Sequence, residues 1–222
     1  RQIGMEIFSS KDENKDDKEI IDTSIKVLKK TGFKKAKVEI GNFKLFELLI
    51  QKLSIPQRWK DRLIKFYWNK EYFSQLLKRL DSNSDIDPFI VAGDHKTYLK
   101  MKKEYPKKMI AGRTYEEIIE RYERKINDPR LTKTGKISSK IIKEFLKIKC
   151  SLKDAPKKLN AFYKKYNLNI SVAKEFFPIS TPNQKDLKFE FSTSSGRGRE
   201  VEFYSSFCLL YTSPSPRDDS QS

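Results

Sequence analysis

The first eight residues alternate between apolar and polar side chains. This period-2 pattern predicts a β-strand with one apolar and one polar face. Gln2 and Glu6 fall on the polar face with Gly4 between them, and a glycine inside a strand often marks the close approach of a ligand or of backbone. The polar face could bind a small zwitterion, or it could be the solvated face of an ordinary amphipathic strand.

Three later stretches also alternate and predict strands, over residues 34–40, 187–191 and 199–207. In the last of them Glu202 and Tyr204 share one face, and Arg199 opens the stretch. An arginine can hold a carboxylate through two parallel hydrogen bonds, and a tyrosine offers a ring wall and a hydroxyl. The alternative is an edge strand with a charged, solvated face.

Apolar residues recur at helical spacing between these strands. Residues 18–30 predict one helix and residues 42–81 predict three, the second of which begins at Pro56, a favourable residue in a first turn. The aromatic stripe within 42–81 is typical of a buried core, with contact to a partner protein as the alternative.

Further helices are predicted from the Thr114–Glu117 capping box, around residues 137–148 and from about Pro156. Residues 82–113 are a less regular stretch that contains Pro88, Gly93, Pro106 and Gly112. The whole pattern predicts an α+β fold in which a helical insertion, about residues 42–180, separates pieces of one sheet.

The opening strand resembles the end of motif 2 in the histidyl branch of the class II aminoacyl-tRNA synthetases, a Q-x-G-x-E-x-F strand. The resemblance implies that Gln2 and Glu6 contact histidine. The stretch from Arg199 resembles the R-G-L-D-Y-Y-T-G segment that completes the same pocket. It implies that Arg199 and Tyr204 line the pocket and that Glu202 takes the acidic position.

Two departures concern the chemistry implied by this resemblance. Glu200 and Ser206 stand where the synthetase segment has glycines. An acidic side chain beside Arg199 would repel ATP phosphates, which argues against adenylate formation.

The block Gly41–Leu80 carries the patterns G-N-F-x-L-F-x-L-L, P-x-x-W-x-x-R-L-x-x-F-Y-W and F-x-x-L-L-x-R-L. It resembles the regulatory subunit of ATP phosphoribosyltransferase, a non-catalytic relative of the synthetases, more than it resembles the synthetases. That family implies a class II synthetase-like antiparallel sheet and no catalytic residues on this chain. It also implies a partner, the short-form catalytic subunit of the first step of histidine biosynthesis, with L-histidine as feedback effector.

Two other functions stay open: a fragment of an active histidyl-tRNA synthetase catalytic domain, and a basic RNA-binding module. The net charge of +17 favours a polyanion partner. However, lysine far outnumbers arginine and is spread along the chain, whereas specific nucleic-acid contacts favour arginine. We therefore expect solvated lysine faces, and we do not expect nucleic acid to be the partner.

His95 is the one histidine and Cys150 and Cys208 are the two cysteines, which provides no disulfide framework and no cysteine-based metal site. No apolar run reaches the roughly 18–20 residues of a membrane span. We expect a cytoplasmic protein with no metal, no cofactor and no membrane association.

Both ends of the sequence are unusual. The chain begins inside the predicted strand and without an initiator Met, so we expect a fragment whose upstream part is missing. Cys208–Asp218 resembles the translation of a transposase adapter used in sequencing libraries. We therefore expect residues 1–207 to be a partial synthetase-like domain and residues 208–222 not to be native. The alternative for this tail is a short apolar strand followed by a Ser/Pro-rich disordered segment.

Overall fold

A computed structural model describes residue 7 and residues 13–30, 36–104, 112–172, 187–195 and 207–212. The helices are, in chain order, α1 Glu13–Lys30, α2 Phe43–Lys52, α3 Gln57–Lys65, α4 Lys70–Asp81, α5 Pro88–Glu104, α6 Tyr115–Ile126, α7 Lys133–Phe145 and α8 Ala155–Lys165. The strands are β1 Ala36–Asn42, β2 Lys149–Ser151, β3 Leu187–Ser192 and β4 Phe207–Thr212. Short 3-10 helices lie at Pro129–Leu131 and Leu152–Asp154.

The chain divides into two compact units. The sheet unit comprises residues 1–52 and 143–222, and the helical unit comprises residues 53–142. In the described part of the chain, no helix combines the length and the apolar character that a membrane crossing requires.

The strands of the sheet unit form one mixed sheet in the order β2-β3-β1-β4. β1 runs parallel to β3, with Val38 opposite Phe189 and Ile40 opposite Phe191. β4 is antiparallel to β1, and β2 is antiparallel to β3. The α+β class predicted from the sequence agrees with this architecture.

The expectation of an antiparallel sheet is wrong for the central pair, β1 and β3, which is parallel. Parallel neighbours cannot be joined by a hairpin and need a long crossover connection. The chain between β1 and β3 contains α2 to α8 and β2, which is long enough for such a crossover, and β3 enters the sheet in the same direction as β1. The antiparallel expectation holds for the two outer pairs.

The core of the sheet unit lies on the apolar face of β1 and β3. Val38, Ile40 and Phe191 are fully buried there. The aromatic rings of α2, α7 and α8 pack together, with Phe145 centred 6.4 Å from Phe46 and 5.7 Å from Phe162. Because burial of large apolar side chains is the main favourable term in folding, these layers hold the sheet in place.

The helical unit has its own core, formed mainly by α3 and α4. Leu63 and Leu80 are fully buried, and the Tyr67 and Phe73 rings meet edge to face at 5.8 Å. The aromatic stripe predicted as core is therefore core in this part of the chain. The predicted capping box is also confirmed: the Thr114 hydroxyl accepts from the Glu117 amide, and the Glu117 carboxylate accepts from the Thr114 amide.

Two of the described elements before residue 207 differ from the prediction. The sequence of residues 82–113 is less regular, but α5 occupies much of this stretch. Asp87 begins this helix, because its carboxylate accepts from the Phe89 amide at 2.8 Å and its carbonyl accepts from the Val91 amide at 3.1 Å. β2 was not predicted, since three residues are too few to show an alternating pattern.

Candidate functional site

Alternation along β1 and β3 gives the sheet a charged face opposite its apolar one. Lys37 and Glu39 project from β1 beside Lys188 and Glu190 of β3, as the parallel register requires. Lys149 on β2 reaches the same face. We call these five residues the charged face.

The lysines and carboxylates of the charged face form a connected network. The Lys37 Nζ lies 2.8 Å from a carboxylate oxygen of Glu190, and Lys188 Nζ lies 3.2 Å from the other oxygen. Lys149 Nζ lies 2.7 Å from Glu39 and 3.7 Å from Glu190. The site therefore carries three cations and two anions, an excess of one positive charge that suits an anionic ligand group.

Glu39 also contacts the turn that follows β3, where its carboxylate accepts a hydrogen bond from the Ser195 hydroxyl. Burial alone would raise the pKa of its carboxyl. Hydrogen bonds from Lys149 and from the Ser195 hydroxyl, with the positive charges of Lys149 and Lys37, outweigh that effect and hold the pKa below its ordinary value of 4.5. Glu39 is therefore an acceptor, ionised at neutral pH, and not a proton donor.

The other members of the network show the same electrostatics. The hydrogen bond from Lys37 is the main reason that the pKa of Glu190 lies below its ordinary value. The hydrogen bond to Glu39 is the main reason that the pKa of Lys149 is raised. All three groups are thus held in their charged forms, which favours ligand binding over proton transfer.

The turn that follows β3 is fastened to the sheet beside Glu39. The Thr193 amide donates to the Ile148 carbonyl at 3.1 Å, and the Ser195 amide donates to the Ser192 carbonyl at 3.2 Å. A Cβ placed on Gly41 would lie 2.6 Å from the Ser195 carbonyl oxygen. Only glycine at position 41 leaves room for this turn, which leads along the chain towards Arg199.

The described residues offer limited chemistry beyond binding. They contain no group of three or more His, Cys, Asp or Glu side chains placed to hold a metal ion. Burial raises the pKa of the half-buried Cys150 thiol, which works against a nucleophilic thiolate.

The five residues predicted from the sequence to line a histidine pocket are Gln2, Glu6, Arg199, Glu202 and Tyr204, and all lie outside the described residues. The sequence patterns did not predict that Glu39, Lys149 and Ser195 come together at one site. The alternation of Lys37 and Glu39 against Val38 was a usable signal for Glu39. Lys149 had no such signal, because its strand was not predicted.

Comparison with protein families shows that residues 1–123, more than half of the chain, match the histidyl-tRNA synthetase family. The chain belongs to that family. Gln2 and Glu6 fall within the matched range, whereas Arg199, Glu202 and Tyr204 lie beyond it.

Among curated proteins, the chain is similar to an ATP phosphoribosyltransferase regulatory subunit of Clostridium acetobutylicum, with 38% identity over 87 residues. The matched segment covers 38% of this chain and 20% of the relative, so the chain matches about a fifth of the relative's length. No solved structure matches the chain.

Proposed function

We propose that this protein is a non-catalytic regulatory subunit of ATP phosphoribosyltransferase. In this role it supports the short-form catalytic subunit and makes the first step of histidine biosynthesis sensitive to histidine. The observation that carries the proposal is the 38% identity over 87 residues to a protein named as such a subunit. The family to which the chain belongs is named after histidyl-tRNA synthetase.

The block Gly41–Leu80 adds support from the residues themselves. Most of its apolar positions are buried in α2, α3 and α4 or between them, including Phe46, Trp59 and Phe73. Its first residue, Gly41, is needed at its position because the Ser195 backbone fills the space of a side chain. The sequence pattern that resembles the regulatory subunit is thus the pattern that builds this part of the fold.

Two arguments favour binding without catalysis. Glu200, next to Arg199, would repel the phosphates of ATP. The charged face holds Glu39, Glu190 and Lys149 in their charged forms, so none of these three supplies a group that titrates near neutral pH.

As part of the same proposal, histidine binds in a pocket lined by Gln2, Glu6, Arg199 and Tyr204, with Glu202 as a possible fifth residue. The carboxylates of Glu6 and Glu202 would accept hydrogen bonds from the amino and imidazole groups of histidine. Arg199 would bind the carboxylate of histidine. If bound histidine alters the affinity for the catalytic subunit, that subunit must alter the affinity for histidine by the same factor.

Calorimetry with L-histidine, combined with an ATP–pyrophosphate exchange assay, tests the proposal against its alternatives. We expect histidine to bind and exchange to stay at background. Histidine-dependent exchange would instead establish a synthetase. RNA binding that falls steeply with salt, in the absence of histidine binding, would establish the RNA-binding alternative.

The pocket residues are tested by the double variant Glu6→Ala with Tyr204→Ala. We expect a loss of histidine affinity of about a hundredfold or more, because a charged hydrogen-bond partner and a ring contact disappear together. Glu19→Ala, at an exposed position of α1, is the matched control and should bind histidine normally. Unchanged affinity in the double variant would exclude this pocket.

A further inference from the structure

The start of α5 exposes large apolar side chains. Phe89 is 88% exposed and Ile90 is 61% exposed, while Leu99 further along the helix is 46% exposed. Soluble proteins commonly expose single apolar residues, but two adjacent ones beside a groove are typical of a protein-binding surface.

A groove of about 470 Å³ lies next to these residues within the helical unit. Its apolar lining comes from α5, from the end of α6 and from the 3-10 helix at Pro129–Leu131, and includes Val91, Ile126 and Leu131. Leu131 is itself 37% exposed. A groove of this size accepts one or two large apolar side chains of a partner.

The charge around the groove is positive. Lys96 lies in the groove lining. Phe89, Lys96, Lys100 and Lys103 follow a 7-4-3 spacing that places them on one face of α5. Within the described part of the chain none of these three lysines has a carboxylate partner.

The acidic groups nearby are already engaged. Asp94 is paired with Lys125 at 3.0 Å, and Asp85 is paired with Arg130 at 2.8 Å. Asp87 accepts from the Phe89 amide at the start of the helix. Asp87 keeps its negative charge, but the three lysines outnumber it, so the net charge left to attract a partner is positive.

We propose that Phe89, Ile90 and the adjacent groove dock an acidic segment of the catalytic subunit that carries a large apolar anchor residue. The partner's identity rests on the proposed function, whereas the chemistry of the docked segment rests on this surface. Aromatic and aliphatic side chains at the centre with charged residues at the rim form the usual arrangement of an interface. Lys96, Lys100 and Lys103 select an acidic partner by charge complementarity.

The binding test uses the whole chain and purified short-form catalytic subunit. Phe89→Asp with Ile90→Asp should weaken binding by about tenfold or more, because central apolar residues carry most of the affinity of an interface. Val27→Asp with Ile137→Asp is the matched control: these apolar residues are 41% and 54% exposed and lie outside the groove lining, and binding should be unchanged.

The charge test uses Lys96→Glu with Lys100→Glu. This variant should bind the catalytic subunit about threefold to tenfold more weakly, with less dependence on salt, because rim charges act mainly on the rate of association. Loss of binding to a transfer RNA, with unchanged binding to the catalytic subunit, would show that the lysines serve nucleic acid and would overturn the proposal.

The binding results distinguish a wrong docking surface from a wrong proposed function. If the unmodified chain binds the catalytic subunit and the Phe89→Asp, Ile90→Asp variant binds equally well, the docking surface is wrong and the function stands. If the unmodified chain does not bind, both proposals fail.

If the Phe89→Asp, Ile90→Asp variant does not fold, the docking surface is tested by photo-crosslinking. Benzoylphenylalanine then replaces Phe89 in the otherwise unmodified chain. A covalent adduct with the catalytic subunit supports the surface. An adduct between two copies of this chain, or none, overturns it.

Discussion

At the residue scale, single positions determine how the loop after β3 and the turn after α6 are held. Gly41 has no room for a Cβ because the Ser195 carbonyl oxygen would lie 2.6 Å from it. Asp128, at the end of α6, accepts from the Arg58 guanidinium at 2.8 Å and from Arg130 Nε at 2.8 Å. Arg130 in turn stacks its guanidinium over the Trp59 ring at 5.5 Å.

Gly41→Ala should destabilise the protein by about 1–3 kcal/mol, because the clash is with backbone and the strand or the turn must shift. Gly93→Ala is the matched control, since nothing lies within 4 Å of a Cβ at that helical position. Alanine there should stabilise by about 0.5–1 kcal/mol through its higher helix propensity. Urea unfolding of the two variants measures both changes, and equal effects would contradict the close approach at Gly41.

Asp128→Ala should lower the free energy of unfolding by about 2–3 kcal/mol, because Arg58 and Arg130 lose a largely buried acceptor while Arg130 keeps its ion pair with Asp85. Asp61→Ala is the control: the Asp61 carboxylate is exposed and accepts from Gln57 at 2.7 Å. That substitution should cost about 0.5 kcal/mol or less. A comparable loss in both variants, measured by chemical denaturation, would show that the Asp128 network contributes little.

At the element scale, the elements predicted correctly are those that bury a regular face. α2, α3 and α4 repeat apolar residues at helical spacing because each packs one side into a core. α5 was not predicted because most of its side chains are exposed, so its sequence shows little apolar periodicity at helical spacing. The parallel pairing of β1 with β3 was not predicted, because alternation specifies the two faces of a strand and not its direction in the sheet.

The candidate site was predictable only in part for the same reason. Alternation in β1 indicates a polar face that includes Glu39, but the neighbours of Glu39 come from residues far along the chain. Lys149 lies on a three-residue strand, and Ser195 lies in a turn. Their approach to Glu39 depends on tertiary packing, which local sequence patterns do not report.

The charged face should make the free energy of unfolding decrease at acidic pH. The pKa values of Glu39 and Glu190 lie below 4.5 in the folded protein, so their stabilisation is complete above pH 4.5 and is lost as pH falls through the lowered values. Glu39→Gln should cost about 1–2 kcal/mol at pH 7, and the difference from the unmodified protein should shrink below pH 4. Thermal unfolding between pH 7 and pH 3 measures this, and a constant difference would contradict the network.

At the scale of the whole molecule, family membership and the second half of the proposed histidine pocket rest on different parts of the chain. The match to the histidyl-tRNA synthetase family covers residues 1–123, which end within the helical unit. The second wall of the proposed pocket, from Arg199 to Tyr204, rests on the resemblance of its own residues.

The origin of the tail also belongs to this scale. Residues 208–212 lie in β4, paired with β1. Strand pairing does not depend on where a sequence comes from, so the adapter origin of residues 208–222 stays a prediction. The nucleotide sequence checks it: the adapter's own codon series is expected, and a different series would contradict it.

The central claim is tested most directly by the rate at which purified short-form catalytic subunit consumes ATP and phosphoribosyl pyrophosphate, with and without this protein. We expect the rate to rise when the protein is added and to fall again as L-histidine is titrated in. Glu6→Ala with Tyr204→Ala should keep the stimulation and lose the inhibition by histidine. A rate that the unmodified protein leaves unchanged at every histidine concentration would contradict the regulatory function.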